Sequence, residues 1–371
     1  MGVSRAIAYI DLGALEENLA IARSRLAAGV KMLCVVKADA YGHGAIEVSR
    51  RLERLNVDYL GVASVEEGIQ LRVAGIKTPI LVMSGPFPWD ALEPAVMNDL
   101  SLVFYDVKTL KRIGEESPSL TRPVRAHIKI DTGMGRLGFS VADMAFVGQS
   151  LKNMGNVACE GLMSHFSASE TRDDYGLKQV ALFREAQAAL IAAGIRPKIA
   201  HMANSGAIIN YPDAHFDMVR AGIGLYGSHP SIELAQTFPI KQVMKFVSRV
   251  ALVRDVPAGY SLSYGRTFIT SRNTKVAYVP VGYADGYPRA LSNKAFVLIK
   301  QRKCSIVGTV CMDWILVDIT DINGVDVADE VVLLGRDGGQ AVTADELARY
   351  AGTIPYEILC KISKRVPRVY V

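Results

Sequence analysis

Half of the 371 residues are hydrophobic and 21% are charged, which excludes a disordered chain and provides for a large core, as two domains or one barrel with an addition. The net charge of +5 is small for this length, and Lys and Arg are dispersed instead of forming the basic stripe of a nucleic-acid groove. No apolar run approaches the ~18 residues that a bilayer span needs, so neither nucleic acid nor membrane is an expected partner.

The opening residues, Met1-Gly2-Val3-Ser4-Arg5-Ala6-Ile7, lack the apolar stretch of a secretion signal, and Ala6 stands where a myristoylation signal wants Ser or Thr. Cytoplasm is therefore the expected compartment. The five cysteines (Cys34, Cys159, Cys304, Cys311 and Cys360) are scattered, odd in number and without a C-x-x-C pair. They read as reduced thiols, not as a disulfide framework or a zinc site, and no metal is expected.

Up to about residue 230, apolar β-rich runs alternate with segments of helical period. Strands are expected at Met32–Lys37, Tyr59–Ala63, Ile80–Met83, Ser101–Tyr105, Val124–Ile130, Cys159–Ser164, Lys198–His201 and Asp217–Arg220, with helices clearest at Ile46–Leu55 and Val180–Ala193. Strands that are apolar throughout predict a parallel sheet buried on both faces. Eight such units close naturally into a (β/α)8 barrel, with an open doubly wound sheet as the rival. After Pro230 the texture changes. From Met244 the segments are short, Val-rich and alternating, with turns at Pro257-Ala258-Gly259, Asp285-Gly286 and Asp337-Gly338-Gly339 and a helix at Ala344–Ala351. The expected organisation is an α/β chain: a TIM-type barrel over residues 1–238, then a mainly β domain over 239–371.

Barrel enzymes build their sites at the C-terminal ends of the strands. The first strand runs into Lys37-Ala38-Asp39-Ala40-Tyr41-Gly42-His43-Gly44, where a half-dry lysine would lose its proton readily and form a Schiff base. The bland alternative is a solvated lysine opening a loop. The fifth strand gives His127-Ile128-Lys129-Ile130-Asp131-Thr132-Gly133-Met134-Gly135-Arg136, whose alternation puts His127, Lys129 and Asp131 on one face. Polar side chains there need partners, supplied by a polar barrel mouth or by a structural Lys129–Asp131 ion pair. Arg136 offers a planar fork for a carboxylate. Later strands end at Ser164-His165-Phe166, His201-Met202-Ala203-Asn204-Ser205-Gly206 and Arg220-Ala221-Gly222-Ile223-Gly224. Ser205 and the backbone at Gly222 and Ile223 suit a phosphate, although each such turn taken alone is usually only a turn. Jointly these segments suggest a lysine-bound, phosphate-anchored cofactor facing a carboxylate-bearing substrate.

The lysine block resembles that of the alanine racemases, a fold-type III family dependent on pyridoxal 5′-phosphate. The similarity runs nearly end to end, through Asp131–Arg136, Asn204-Ser205, Arg220–Ile223, Ser263-Tyr264-Gly265, Gly282–Gly286, Cys311-Met312-Asp313 and Tyr356-Glu357. It implies that Lys37 carries the cofactor and serves as base on one face of the substrate, with Tyr264 of the other subunit as base on the opposite face. It further implies that Tyr41, Ser205, Gly222, Ile223 and Tyr356 hold the phosphate, with Asn204 beside them. Arg220 would meet the pyridine nitrogen, with His165 near Arg220 and Tyr264. Arg136 and the Met312 backbone would take the substrate carboxylate, and Tyr283 and Arg289 would line the access path. Lys129 matches a lysine carbamylated in some members. Trp314, Arg266 and Phe166–Glu170 depart from the pattern and bear on access and substrate breadth.

These roles suit racemisation, supplying D-alanine as a peptidoglycan precursor: inversion needs a proton acceptor on each face, so a homodimer with shared sites is implied. Without the resemblance Tyr264 would read as a packed tyrosine, and Cys311, with no base nearby, as a small buried hydrophobe. The rival functions are a broader racemase (serine, for example), a fold-type III decarboxylase and a non-catalytic cofactor-binding barrel. Arg220, where decarboxylases place an acid, and Ser263-Tyr264-Gly265, which lone barrels lack, argue against the last two.

Overall fold

A computed structural model describes residues 4–229 and 238–371. The change of texture at Pro230 and the first three residues of the N-terminal stretch lie outside them. The first strand, β1 (Ala6–Ile10), alternates buried and half-buried positions. Eight strands follow: β2 (Lys31–Val35), β3 (Tyr59–Val62), β4 (Ile80–Val82), β5 (Leu100–Phe104), β6 (Val124–Lys129), β7 (Val157–Met163), β8 (Ile199–His201) and β9 (Met218–Ala221). They pair in parallel in the order β8-β7-β6-β5-β4-β3-β2-β9. Asp217 and Arg220 donate backbone bonds of 3.0 and 2.8 Å to Ala200 and Ala203, drawing β9 against β8. The sheet thus turns back on itself as a barrel, and the open-sheet alternative falls. All eight expected strands are present. Helices at Ala45–Arg54 and Asp174–Ala192 occupy the two expected stretches, the second starting six residues earlier behind its Asp173 cap.

The rest of the chain is mainly β. Its elements are β10 (Met244–Arg249), β11 (Leu252–Val256), β12 (Ser261–Leu262), β13 (Phe268–Ile269), β14 (Thr274–Val279), β15 (Phe296–Ile299), β16 (Arg302–Ser305), β17 (Ile315–Asp318), β18 (Glu330–Asp337), β19 (Gln340–Val342) and β20 (Arg368–Tyr370). The helix Ala344–Ala351 forms as expected. The largest of these sheets runs β16-β15-β18-β10-β1-β20. The N-terminal strand β1 therefore lies in the second sheet and not in the barrel, its two hydrogen-bonding edges paired by β10 and β20.

That sheet positions the first barrel loop. Ala38, Asp39, Ala40 and Tyr41 all have φ of 52–54°, a full left-handed turn of L-residues. Such a turn costs ~1–2 kcal/mol per residue and persists only where its surroundings impose it. Here Glu67 accepts from the Ala38 and Ala63 amides, both at 2.7 Å, and Asp39 caps the next helix through Ala45. Arg368 on β20 donates to Gly42 at 2.9 Å and to the carbonyls of Ile362, Ser363 and Val366. The last strand thereby pins the lysine loop.

Candidate active site

The C-terminal ends of the barrel strands enclose a cavity of about 450 Å³, lined by Lys37, Tyr41, Lys129, Arg136, His165, Asn204, Ser205, Arg220, Gly222 and Tyr356 among others. Ten residues singled out in the sequence therefore meet in one place. Lys37 is expected to end its strand, but β2 stops at Val35 and Lys37 opens the left-handed turn instead. Burial, then Arg136, hold its ammonium below its ordinary range. Lys129 is buried at the end of β6 and is pushed down to about 8, first by burial and then by Arg136 and Arg220. The alternative Lys129–Asp131 ion pair is not formed among the described residues. Asp131 instead accepts from Gly133 at 2.9 Å and Gly135 at 3.1 Å, folding the loop that carries Arg136. Gly138 completes it, since at φ +137° a Cβ there would lie 2.4 Å from the Asp131 nitrogen.

Arg220 is 3% exposed and saturated with acceptors. One terminal nitrogen donates to His201 Nδ1 (2.9 Å) and the His201 carbonyl, the other to Ser164 O (2.6 Å), Met202 O and His165 Nδ1 (3.0 Å). No carboxylate among the described residues touches it. Because guanidinium only donates, His165 Nδ1 is an acceptor and its proton sits on Nε2. Burial, then Arg220, Arg136 and both lysines, keep this imidazole well below its ordinary pKa and hence neutral. Lys37, Lys129, Arg136 and Arg220 face a single lining carboxylate, Glu170, among the described residues. An anionic ligand fits that imbalance.

The far end has the form of a phosphate cradle. Ser205 Oγ accepts from Gly222 at 2.8 Å and from Gly224 at 3.4 Å. A Cβ on Gly222 would sit 3.1 Å from the Tyr41 hydroxyl and 3.6 Å from Ser205 Oγ, so its absence leaves a recess floored by backbone between two hydroxyls. Tyr356 packs on Tyr41 with ring centroids 5.8 Å apart. Burial raises both phenols, Tyr356 to about 12, so both remain donors. Asn204 lines the cavity, but its carboxamide oxygen is committed to the Ala207 amide.

Besides Arg289, four expected residues do not line this cavity. Ile223 is fully buried at the start of the turn beside Gly222. Tyr264, Met312 and Tyr283 lie on the second part of the chain, 72, 52 and 43% exposed. They are anchored, not loose: Thr309 Oγ1 donates to the Tyr264 carbonyl at 2.8 Å, and the Tyr283 and Ala284 amides donate to Cys311 and Met312. Cys311 is half-buried, its sulfur 3.4 Å from Ser263 Oγ. Glu67, which fastens the lysine turn, gave no sign in the sequence beyond its place near a helix start.

Two family models match the chain: "Alanine racemase, N-terminal domain" over residues 10–230 and "Alanine racemase, C-terminal domain" over residues 243–370. The alanine racemase of Symbiobacterium thermophilum is 43% identical over 370 residues, covering 100% of this chain and 98% of the relative. That of Geobacter sulfurreducens is 42% identical, covering 98 and 97%. Among solved structures, alanine racemase from Clostridium difficile 630 superposes with a TM-score of 0.93 at 39% identity, covering 100% of this chain and 97% of the other. Alanine racemase from Bacillus anthracis with bound L-Ala-P does so at 0.93 and 32% identity, covering 100 and 96%.

Proposed function

We propose, from the premise that this chain belongs to the alanine racemase family, that it interconverts L- and D-alanine with pyridoxal 5′-phosphate as cofactor. It is an isomerase. The observation that carries this reading is the meeting of a depressed lysine, two guanidiniums and a hydroxyl-and-backbone phosphate cradle in one cavity. When bound, the cofactor supplies an electron sink that acidifies the α-hydrogen of an attached amino acid.

The residues then divide the work. Tyr41, Ser205, Gly222, Ile223 and Tyr356 hold the phosphate, with Asn204 alongside. Arg136, with the Met312 backbone, takes the substrate carboxylate, and Tyr283 lies on the access path. Lys37, desolvated and flanked by Arg136, holds the cofactor and moves a proton at Nζ on one face. Tyr264 moves a proton at its phenolic oxygen on the other. Its 72% exposure and its absence from its own cavity wall support a homodimer in which it completes the partner's site. Neutral His165, with its proton on Nε2, is a donor for that oxygen. On this reading residues 1–238 hold the cofactor and 239–371 serve the neighbouring site. Lys129, amid three cations, suits carbamylation, because a carbamate would replace a costly fourth charge with a countercharge for Arg136. No helix among the described residues is long and apolar enough to cross a membrane, and we place the enzyme in the cytoplasm.

The direct test is polarimetric: with the cofactor present, optical rotation of L-alanine should decay to zero without loss of alanine. Release of carbon dioxide, or a rotation that never changes, would overturn the reading. Arg220 adds a second expectation. A permanent cation without acceptor capacity leaves a basic nitrogen against it unprotonated, weakening the electron sink and limiting side reactions. Arg220→Glu should therefore increase pyruvate released per racemisation event, measured by coupled assay. An unchanged ratio would refute that role.

A further inference from the structure

We propose that Glu160 is a positioning residue for Arg220, acting through a hydrogen-bond chain of fixed direction that crosses the barrel interior by way of His201 and His127. The inference rests on the racemase reading for what Arg220 serves, but not for the chain itself.

The chain is continuous. Arg220 lies 2.9 Å from His201 Nδ1; His201 Nε2 lies 2.9 Å from His127 Nδ1; His127 Nε2 lies 3.2 Å from Glu160 Oε2. Both imidazoles are fully buried, and each of their four ring nitrogens has a partner. Ordinarily such tautomers are ambiguous. Here both ends fix them. Guanidinium donates only, so His201 Nδ1 must accept and its proton must sit on Nε2. His127 Nδ1 must then accept, which puts its proton on Nε2, where a carboxylate receives it. The two constraints, imposed from opposite ends, agree.

The fold makes room for this chain at several points. A barrel interior is normally filled by branched apolar side chains. Here a Cβ at Gly161 would lie 2.2 Å from His127 Nδ1, so a glycine is needed for the ring to occupy its place. The pairing of β6 with β7 slips between Ala126 and His127, where Cys159 and Gly161 become successive partners and Glu160 is left over. A bulge of this kind re-aims the extra side chain. Glu160 also accepts from Ser101 Oγ at 2.6 Å and Tyr59 Oη at 3.0 Å. Burial raises its carboxyl, yet the donors from His127, Ser101 and Tyr59 outweigh that and hold it at about 2. A buried polar network that is only partly satisfied is worse than an apolar filling, so complete satisfaction along this line is costly to assemble by accident.

The consequence concerns Arg220. With an acceptor at position 160, His201 can only present a lone pair to the guanidinium. Without one, Arg220 alone holds the direction and the His127 Nε2–H loses its carboxylate; reversal of both imidazoles then competes, and it would set His201 Nδ1–H against an Arg220 N–H and displace the guanidinium from His165 and the cavity.

The test uses the cofactor-loaded enzyme with ¹⁵N-labelled histidine, His127 and His201 being assigned by single replacement. Long-range ¹⁵N–¹H spectra of the wild type should show both rings as Nε2–H tautomers. Finding either ring with its proton on Nδ1, or doubly protonated, overturns the proposal whether or not the protein racemises alanine. Glu160→Gln keeps an acceptor oxygen and should keep both tautomers and most of kcat. Glu160→Leu should show mixed tautomers at His127 and His201 and lose about tenfold in kcat with little change in KM. A Glu160→Leu protein with wild-type tautomers and kcat would also refute the role; should it fail to fold, the wild-type spectrum still decides.

Discussion

Lys37→Ala should leave a folded protein whose racemisation of alanine is reduced at least ~10⁴-fold, since a poised base alone contributes about 10²–10⁴ and on the proposed reading this side chain also holds the cofactor. The cavity contains two candidate amines, Lys37 and Lys129, both held below the ordinary range by burial and by Arg136. Electrostatics therefore does not separate them; position does. Lys37 rides the same left-handed turn as Tyr41, whose hydroxyl borders the Gly222 recess, while Lys129 ends a barrel strand amid Arg136 and Arg220. Borohydride treatment of the loaded wild type should fix the cofactor on the peptide containing residue 37, read by mass spectrometry, and Lys37→Ala should carry none. Label on Lys129 with Lys37 unmodified would reverse the assignment. The substitution should cost little stability, because the turn is held by Glu67, Asp39 and Arg368 and not by the lysine itself.

The contrast between what the sequence discloses and what it conceals follows from the range of the forces involved. Barrel strands buried on both faces are written as short apolar runs, so Leu100–Phe104 or Ile80–Val82 need no context to be found. The site's side chains follow at strand ends, and the sequence alone places Lys37, Arg136, His165, Ser205 and Arg220 on one rim. Strand β1 was invisible because its partners, Met244–Arg249 and Arg368–Tyr370, lie more than two hundred residues away. The turn at Ala38–Tyr41 runs against every local propensity and exists only because distant groups impose it. Glu160 reads as an outward residue in plain alternation; only the slip at Ala126/His127 turns it inward. His127 was legible as a polar residue needing a partner, but which partner was not.

Tyr264→Phe should lower turnover by about 10²–10⁴ and do so asymmetrically. In D₂O one enantiomer of alanine should still exchange its α-hydrogen, through Lys37, while exchange of the other is lost; equal loss for both would contradict a one-face role. The hydroxyl is ordinarily a feeble base, with a reference pKa near 10, and needs a donor and positive charge beside it. On the proposed reading His165 would supply the first through Nε2–H, and Arg220, fixed behind it at 3.0 Å, the second. On the proposed reading, a tyrosine that stands 72% exposed outside its own cavity wall meets them only from a second copy of the chain. Mixing makes this decisive. In a two-fold dimer of one Lys37→Ala and one Tyr264→Phe protomer, one site carries both changes and the other carries neither. Two nearly inactive proteins, unfolded and refolded together, should therefore recover about a quarter of the wild-type rate under random pairing. If Tyr264 serves the cavity of its own subunit, every site keeps one lesion and mixing restores nothing.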